Sequence, residues 1–239
     1  MTVTDAQQQT AEAIQENTDA AIEAFYLLVV ELDKQMAEAA RRDDRTLMLA
    51  AIGWFLADLE ILLRAELVDA HELGLALLRQ YFPANIIAIM PDYTEADAII
   101  TVARQAVERQ RLVIEQQATQ TGLSEVQLGR FGILTRGQIY DLRKAVDAMM
   151  VRIVHETMYN AGSGVYQRKI AVAVLDKHTT RLCRNRMDGQ IRAWDEPYVD
   201  PLTGAQWLYP PFIGGGLPPA EAFHFCRTVS VPYLGEANG

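Results

Sequence analysis

Apolar residues recur at alternating steps of three and four near the start of the chain. Ile22, Phe25, Val29, Leu32 and Met36 fall on one stripe of a helix, while Glu23, Glu31, Lys34 and Glu38 lie largely off it. This spacing predicts an amphipathic helix ending at Arg41-Arg42-Asp43-Asp44. From Thr46 to about Val68 the sequence is apolar almost all round, with Ile52, Leu56, Leu59 and Leu63 on one side and Phe55 and Leu62 near another. A helix of that kind is expected to be central and covered by its neighbours. A shorter apolar piece, Glu72 to Phe82, follows before Pro83 and Pro91. Thr94 then reads as the N-cap of a helix running to about Gln117, whose face carries Ile99, Ala103 and Ala106.

Gly122, Gly129, Gly132 and Gly137 argue for a loop with one short helix, because each interior glycine costs about 1 kcal/mol relative to alanine. The last helix begins near Thr135 and carries Ile139, Leu142, Val146, Met149 and Ile153 before stopping at Asn160-Ala161-Gly162. The glycine there suits a left-handed C-cap. Beyond Val165 the pattern changes. IAVAVL is a short β-branched run, turn residues and prolines follow, and TVSVPY supplies a closing strand. The fold class expected is mainly α: an amino-terminal helical bundle over residues 1–162 and a small loop-rich α+β module over 163–239.

Half the residues are hydrophobic, enough for a sizeable core. No run approaches the roughly 20 apolar residues that span a bilayer, and the start is acidic and Gln-rich where a signal peptide is basic then apolar. The expectation is a soluble protein made in the cytoplasm and not associated with a membrane. Two cysteines, Cys183 and Cys226, exclude a disulfide framework. The net charge of −9 argues against a nucleic-acid binder using its whole surface. It hides an asymmetry, however: between Arg130 and Arg192 twelve Lys or Arg face five acids, near +7, which leaves −16 for the remainder. Such a segment is either a solvated basic face or a patch for nucleic acid or an acidic partner.

Candidate chemistry concentrates in the same region. His178, Cys183, His224 and Cys226 offer the two nitrogens and two sulfurs of a tetrahedral zinc site, although the spacing is not that of a standard finger. The same four residues also read as two small buried hydrophobes with two unrelated histidines, or as one disulfide. His155-Glu156 begins a zincin pattern, but Tyr159 stands where the second histidine is needed. Glu156 is expected to pair with a nearby base or to cap backbone amides. No nucleophile elbow or phosphate-binding glycine loop is present. Asp176, His178 and Asp188 are the residues a hydrolytic metal would use. Trp194, Trp207, Tyr209 and Phe212 stand among prolines and glycines, and read equally as a docking surface or as the module's core.

Three stretches occur in a specific order: IVHETMYNAG, LDKHTTRLCRNRMDGQ and AFHFCRT. This order resembles the Mu F-like minor head proteins of tailed phages over about the last hundred residues. Where that family shows Cys-x-x-Cys and His-x-x-Cys-x-Cys, this chain reads Thr180-Arg-Leu-Cys183 and His224-Phe-Cys226-Arg-Thr228. One cysteine is missing from each knuckle, which rules out a four-thiolate site and implies that Cys183 and Cys226 are neighbours. The resemblance implies a non-enzymatic virion protein of the head, present in several copies. Its partners would be the portal, the major capsid or scaffold proteins, and packaged DNA. Arg181, Arg184 and Arg186, together with the aromatic loop, would be the docking residues. Two rivals remain: a virion-associated metal-dependent hydrolase or nuclease, and a zinc-stabilised nucleic-acid-binding module.

Overall fold

The computed structural model describes residues 5–81, 93–123, 132–174, 181–211 and 228–233. It is mainly α, with four long helices and a small carboxy-terminal sheet region, as the hydrophobic pattern predicts. Helix α1 (Asp5–Arg41) takes in the Gln-rich lead as well as the expected stripe, and Ile22, Phe25, Val29, Leu32 and Met36 are all buried. Asp44 caps the next helix, its carboxylate accepting the Leu47 N–H at 2.9 Å.

Helix α2 (Arg45–Tyr81) is one continuous helix where the sequence suggested two pieces, since no proline or glycine separates Val68 from Glu72. The expectation that it is covered all round is also corrected. Met48, Ile52, Phe55, Leu59, Leu63 and Leu67 are buried along one side, but Leu49, Trp54 and Ile61 on the other are 46%, 55% and 67% exposed. Among the described residues α2 is the helix long and apolar enough to cross a membrane by composition, with 33% of its most apolar window buried.

Helix α3 (Thr94–Thr121) buries Ile99, Ala103 and Ala106 as expected. Thr94 is its first helical residue and not its cap; Tyr93 precedes it without a side-chain capping bond. Helix α4 (Arg136–Gly162) opens on a capping box: the Thr135 hydroxyl accepts the Gln138 N–H at 3.2 Å, and the Gln138 amide oxygen accepts the Thr135 N–H at 2.8 Å. Leu142, Val146, Met149 and Ile153 are buried. The left-handed residue after α4 is Gly164 (φ 77°), not Gly162. Gly162 is required for a different reason, because a Cβ there would run into the Trp194 ring.

Packing groups the chain into two compact units that interleave along the sequence. One comprises Met1–Asp19, Leu67–Pro91 and Asp147–Gly239; the other comprises Ala20–Glu66 and Asp92–Val146. In the second unit the Asp43 carboxylate accepts the Leu123 N–H at 2.6 Å, and Arg64 pairs with Asp97 at 2.9 Å. In the first unit α2 and α4 approach closely at Gly74, where a Cβ would sit 2.8 Å from the Val154 carbonyl oxygen. His71 lies one turn away, its Nδ1 2.9 Å from the Thr157 hydroxyl.

The sheet of the first unit has the antiparallel order β2 (Ile191–Ala193), β1 (Arg168–Ala173), β5 (Thr228–Pro232). Ala171 pairs with Ser230. All five residues of β5, and the last five of β1, are buried, so these two strands are covered on both faces while β2 is half-buried. A sheet edge normally presents bare N–H and C=O groups. On β5 the Ser230 N–H donates to His155 Nε2 of α4 at 2.8 Å, and the Pro232 carbonyl accepts from the Gln7 amide of α1 at 3.3 Å. A second ribbon pairs β3 (Tyr198–Val199) with β4 (Gln206–Trp207).

Candidate interaction site

The stretch Leu182 to Gln190 folds as a π-helical turn (Cys183–Met187) closed against β1. Leu182, Cys183 and Met187 point inward and form a small core with Ala171, Ala173 and Tyr198, against which Trp207 packs. Gly189, at φ 76°, lets the chain double back so that its N–H reaches the Ala171 carbonyl at 2.8 Å. The Asp188 carboxylate accepts the Ala173 N–H at 2.8 Å, which holds the end of β1 in place. That bond occupies one carboxylate oxygen of Asp188; Asp176 and His178, its companions in the metal reading from sequence, lie outside the described residues.

The β3–β4 hairpin is fixed at several points. The Gln190 side chain reads both backbone groups of Val199, donating to its carbonyl at 2.8 Å and accepting its N–H at 3.3 Å. The Tyr198 hydroxyl meets Ser230 Oγ at 2.8 Å, and burial pushes its pKa well up. Asp200 is fully buried and accepts from Arg186 at 3.1 Å, from the Thr203 hydroxyl at 2.6 Å and from the Leu202 N–H at 3.1 Å. Its own carbonyl accepts the Gly204 N–H, and its N–H donates to Ala205, both at 2.8 Å.

Lys169 is 1% exposed, and its ammonium donates to the Leu208 carbonyl at 2.7 Å. The rings of Tyr159 and Tyr198 lie 5.1 and 5.2 Å from the same nitrogen. Desolvation brings its pKa down to about 8, against the opposing pull of Asp195 and Glu196. His155 is fully buried. Because Nε2 accepts the Ser230 N–H, the proton sits on Nδ1, which donates to the Val151 carbonyl at 2.6 Å. Burial lowers its pKa to about 4. Its neighbour Glu156 pairs with Arg152 at 3.7 Å on the surface, in keeping with the pairing expected for it.

The sequence-selected residues divide as follows. Arg181 and Arg184 are exposed on the turn. Arg186 is only 11% exposed at its side chain and is held by Asp200, so it braces the hairpin. Trp194 is buried, donates to the Tyr159 carbonyl at 3.0 Å, and stacks on Tyr159 and Tyr166 at 6.1 and 5.2 Å. Tyr209 lies 5.5 Å from Tyr159, and Trp207 is half-buried. Of the two readings of this loop, Trp194 follows the core reading, because rings on short strands supply the apolar area that the strands lack. His178, His224, Cys226 and Phe212 lie outside the described residues, as does any approach of Cys226 to Cys183. Among the described residues no three His, Cys, Asp or Glu side chains group as metal ligands.

Sequence reasoning missed Leu202, 73% exposed at the hairpin tip, and Leu208, 41% exposed beside it. The signal was an apolar residue inside the turn sequence Asp-Pro-Leu-Thr-Gly at positions 200–204. Comparisons of the chain with protein-family models, curated proteins and solved structures return no match.

Proposed function

We propose that this chain is a minor head protein of a tailed phage, associated with the portal and acting in head assembly by docking. The observation that carries this reading is the condition of the stretch on which the resemblance rests. Leu182, Cys183 and Met187 are buried, Asp188-Gly189 closes on β1, and Arg181 and Arg184 are left at the surface. The motif's apolar residues and Arg186 are therefore structural, and Arg181 and Arg184 face outward. Long helices with exposed apolar positions suit partner binding, and repeated copies add weak contacts together. The partners are the portal, major capsid or scaffold proteins, and packaged DNA, met by the basic stretch through complementary charge.

The test is incorporation into particles. The wild-type chain is expected to co-purify with heads and to bind the portal less well as salt rises. Arg181→Glu with Arg184→Glu lowers incorporation and leaves the far-UV spectrum unchanged. Arg186 is left intact because its loss strands Asp200 in the interior. Absence of the wild-type chain from purified heads, or normal incorporation of the double variant, sinks this reading.

A further inference from the structure

The outward side of a packed helix is ordinarily charged or polar. Helix α2 departs from this over its amino-terminal half. Leu49, Gly53, Trp54, Ala57 and Ile61 are all exposed, and Asp58 is the one charged residue in the exposed set between Thr46 and Ala65. Leu49, Gly53, Ala57 and Ile61 stand four residues apart and form one ridge along the helix. Its order is large, small, small, large, so it reads the same from either end.

Glycine weakens a helix interior relative to alanine, yet a Cβ at Gly53 would meet no atom within 4 Å among the described residues. Gly74, on the same helix, shows what such a residue can do: a Cβ there would sit 2.8 Å from the Val154 carbonyl oxygen, so its absence admits α4. Gly53 leaves the same room for a backbone that the described part of this chain does not supply. Helix α1 borders the ridge, since Leu28 and Trp54 line one cleft. From Thr46 to Ala65 the face is about 30 Å long, and two helix widths of about 10 Å give on the order of 600 Å² per copy. Two such faces bury about 1,200 Å², the low end of what a specific interface needs.

We infer that this face of α2 packs against the same face of a second copy, antiparallel and about a two-fold axis. Gly53 then lies opposite Ala57 of the second copy, where the axes cross, and Leu49 lies opposite Ile61, where they diverge. An antiparallel pair also opposes the helix dipoles and keeps the exposed Arg41, Arg42 and Arg45 of one copy away from those of the other. A bilayer would have to take in Asp58 and the Glu31 carboxylate beside Trp54, whereas a second copy leaves both at the rim. The dimer is independent of the phage reading, so either can fail without the other.

Sedimentation velocity on the full chain, from low micromolar to near-millimolar concentration, tests it. The wild type passes from monomer to dimer and stops there. Leu49→Lys and Ile61→Glu each weaken the dimer by roughly tenfold or more, as loss of a central contact does. Both side chains are exposed, so circular dichroism of the variants remains that of the wild type. Gly53→Leu fills the crossing point and weakens the dimer, while the dilute monomer melts no lower because leucine favours a helix over glycine. The decisive arm mixes Leu49→Lys with Ile61→Glu. Only the antiparallel arrangement sets the new lysine against the new glutamate, so the mixture forms a heterodimer where each variant alone is monomeric. A wild type that is monomeric throughout, single variants that dimerise normally, or a mixture that stays monomeric overturns the inference. So does flotation of the wild type, lost in Ile61→Glu, with vesicles of phosphatidylcholine and phosphatidylglycerol, which would give the face to a membrane.

Discussion

The two compact units bury different kinds of residue. Every buried polar or charged residue described, from Gln7 and His71 through His155 and Lys169 to Asp200 and Ser230, belongs to the unit that contains the sheet. The unit of Ala20–Glu66 and Asp92–Val146 buries Phe25, Leu32, Met48, Leu59 and Leu63, and keeps pairs such as Lys34–Glu31 and Arg64–Asp97 at its surface. Area explains the contrast. Long helices bury a continuous stripe, and their backbone bonds are internal. Strands of two to six residues leave edges and turns that must find partners elsewhere, so single polar side chains hold the sheet unit in place.

The sharpest attempt to break this contrast is Asp200→Ala. It leaves the Arg186 guanidinium, 11% exposed, without its carboxylate, and a broken buried pair costs about 3–5 kcal/mol. Hydrogen exchange followed by mass spectrometry should show protection lost over residues 198–207 while residues 46–66 keep theirs. Equal loss in both would mean that the units do not differ in this way. The reciprocal change, Leu59→Ala, empties a fully buried site on α2 and is expected to cost about 2–5 kcal/mol in denaturant unfolding. Its exchange signature should be the reverse, with peptides of α2 and α3 deprotected first.

The pH response sharpens the comparison further. His155 has its pKa lowered to about 4, so between the ordinary value near 6.5 and about 4 the unfolded chain binds a proton that the folded chain does not. Stability therefore falls as pH drops through that window, by up to roughly 3 kcal/mol in total, and this contribution levels off below it. His71, lowered by desolvation, adds in the same direction. Lys169 works at the other end. With its pKa down to about 8, the unfolded chain holds a proton that the folded chain has released between there and the ordinary value near 10.5, so stability rises as pH rises through that window. Urea titrations from pH 4 to 10 should give a plateau between about 6.5 and 8, and Lys169→Met should flatten the alkaline limb. An unchanged alkaline limb in that variant would remove Lys169 from the account. The smallest effect belongs to the surface: Glu156→Gln removes the 3.7 Å pair with Arg152 and should change stability by about 0.5 kcal/mol or less. A loss several times larger would give surface pairs a weight that the contrast denies them.

Much of the helical layout was legible because its causes are local. The stripe from Ile22 to Met36 gave α1 its buried face, and Thr135 with Gln138 gave α4 its start. The same reasoning failed where local appearance has two solutions. The nearly all-apolar run in α2 suits either a covered helix or one with an outer face, and periodicity alone does not distinguish a covered Trp54 from an exposed one. Thr94 looked like a cap because threonine is a common one, but the helix already includes it and Tyr93 takes the cap position. In the candidate site, the arginines were found by charge, while Leu202 was overlooked beside the more conspicuous tryptophans.

By itself the sequence determined where most of the helical stripes and the strands β1 and β5 form, and that a basic, loop-rich segment follows the last helix. These depend on residues three or four apart, or on neighbours in a turn, which a linear reading sees. Only the tertiary structure decided which polar groups hold the sheet unit together. His155 lies 75 residues from the Ser230 N–H it receives, and Lys169 lies 39 from the Leu208 carbonyl it bonds. Arg186 became a brace and Trp194 a core ring for the same reason. A side chain's surroundings are set by segments distant in the chain, and burial turns a nominal surface charge into a structural contact.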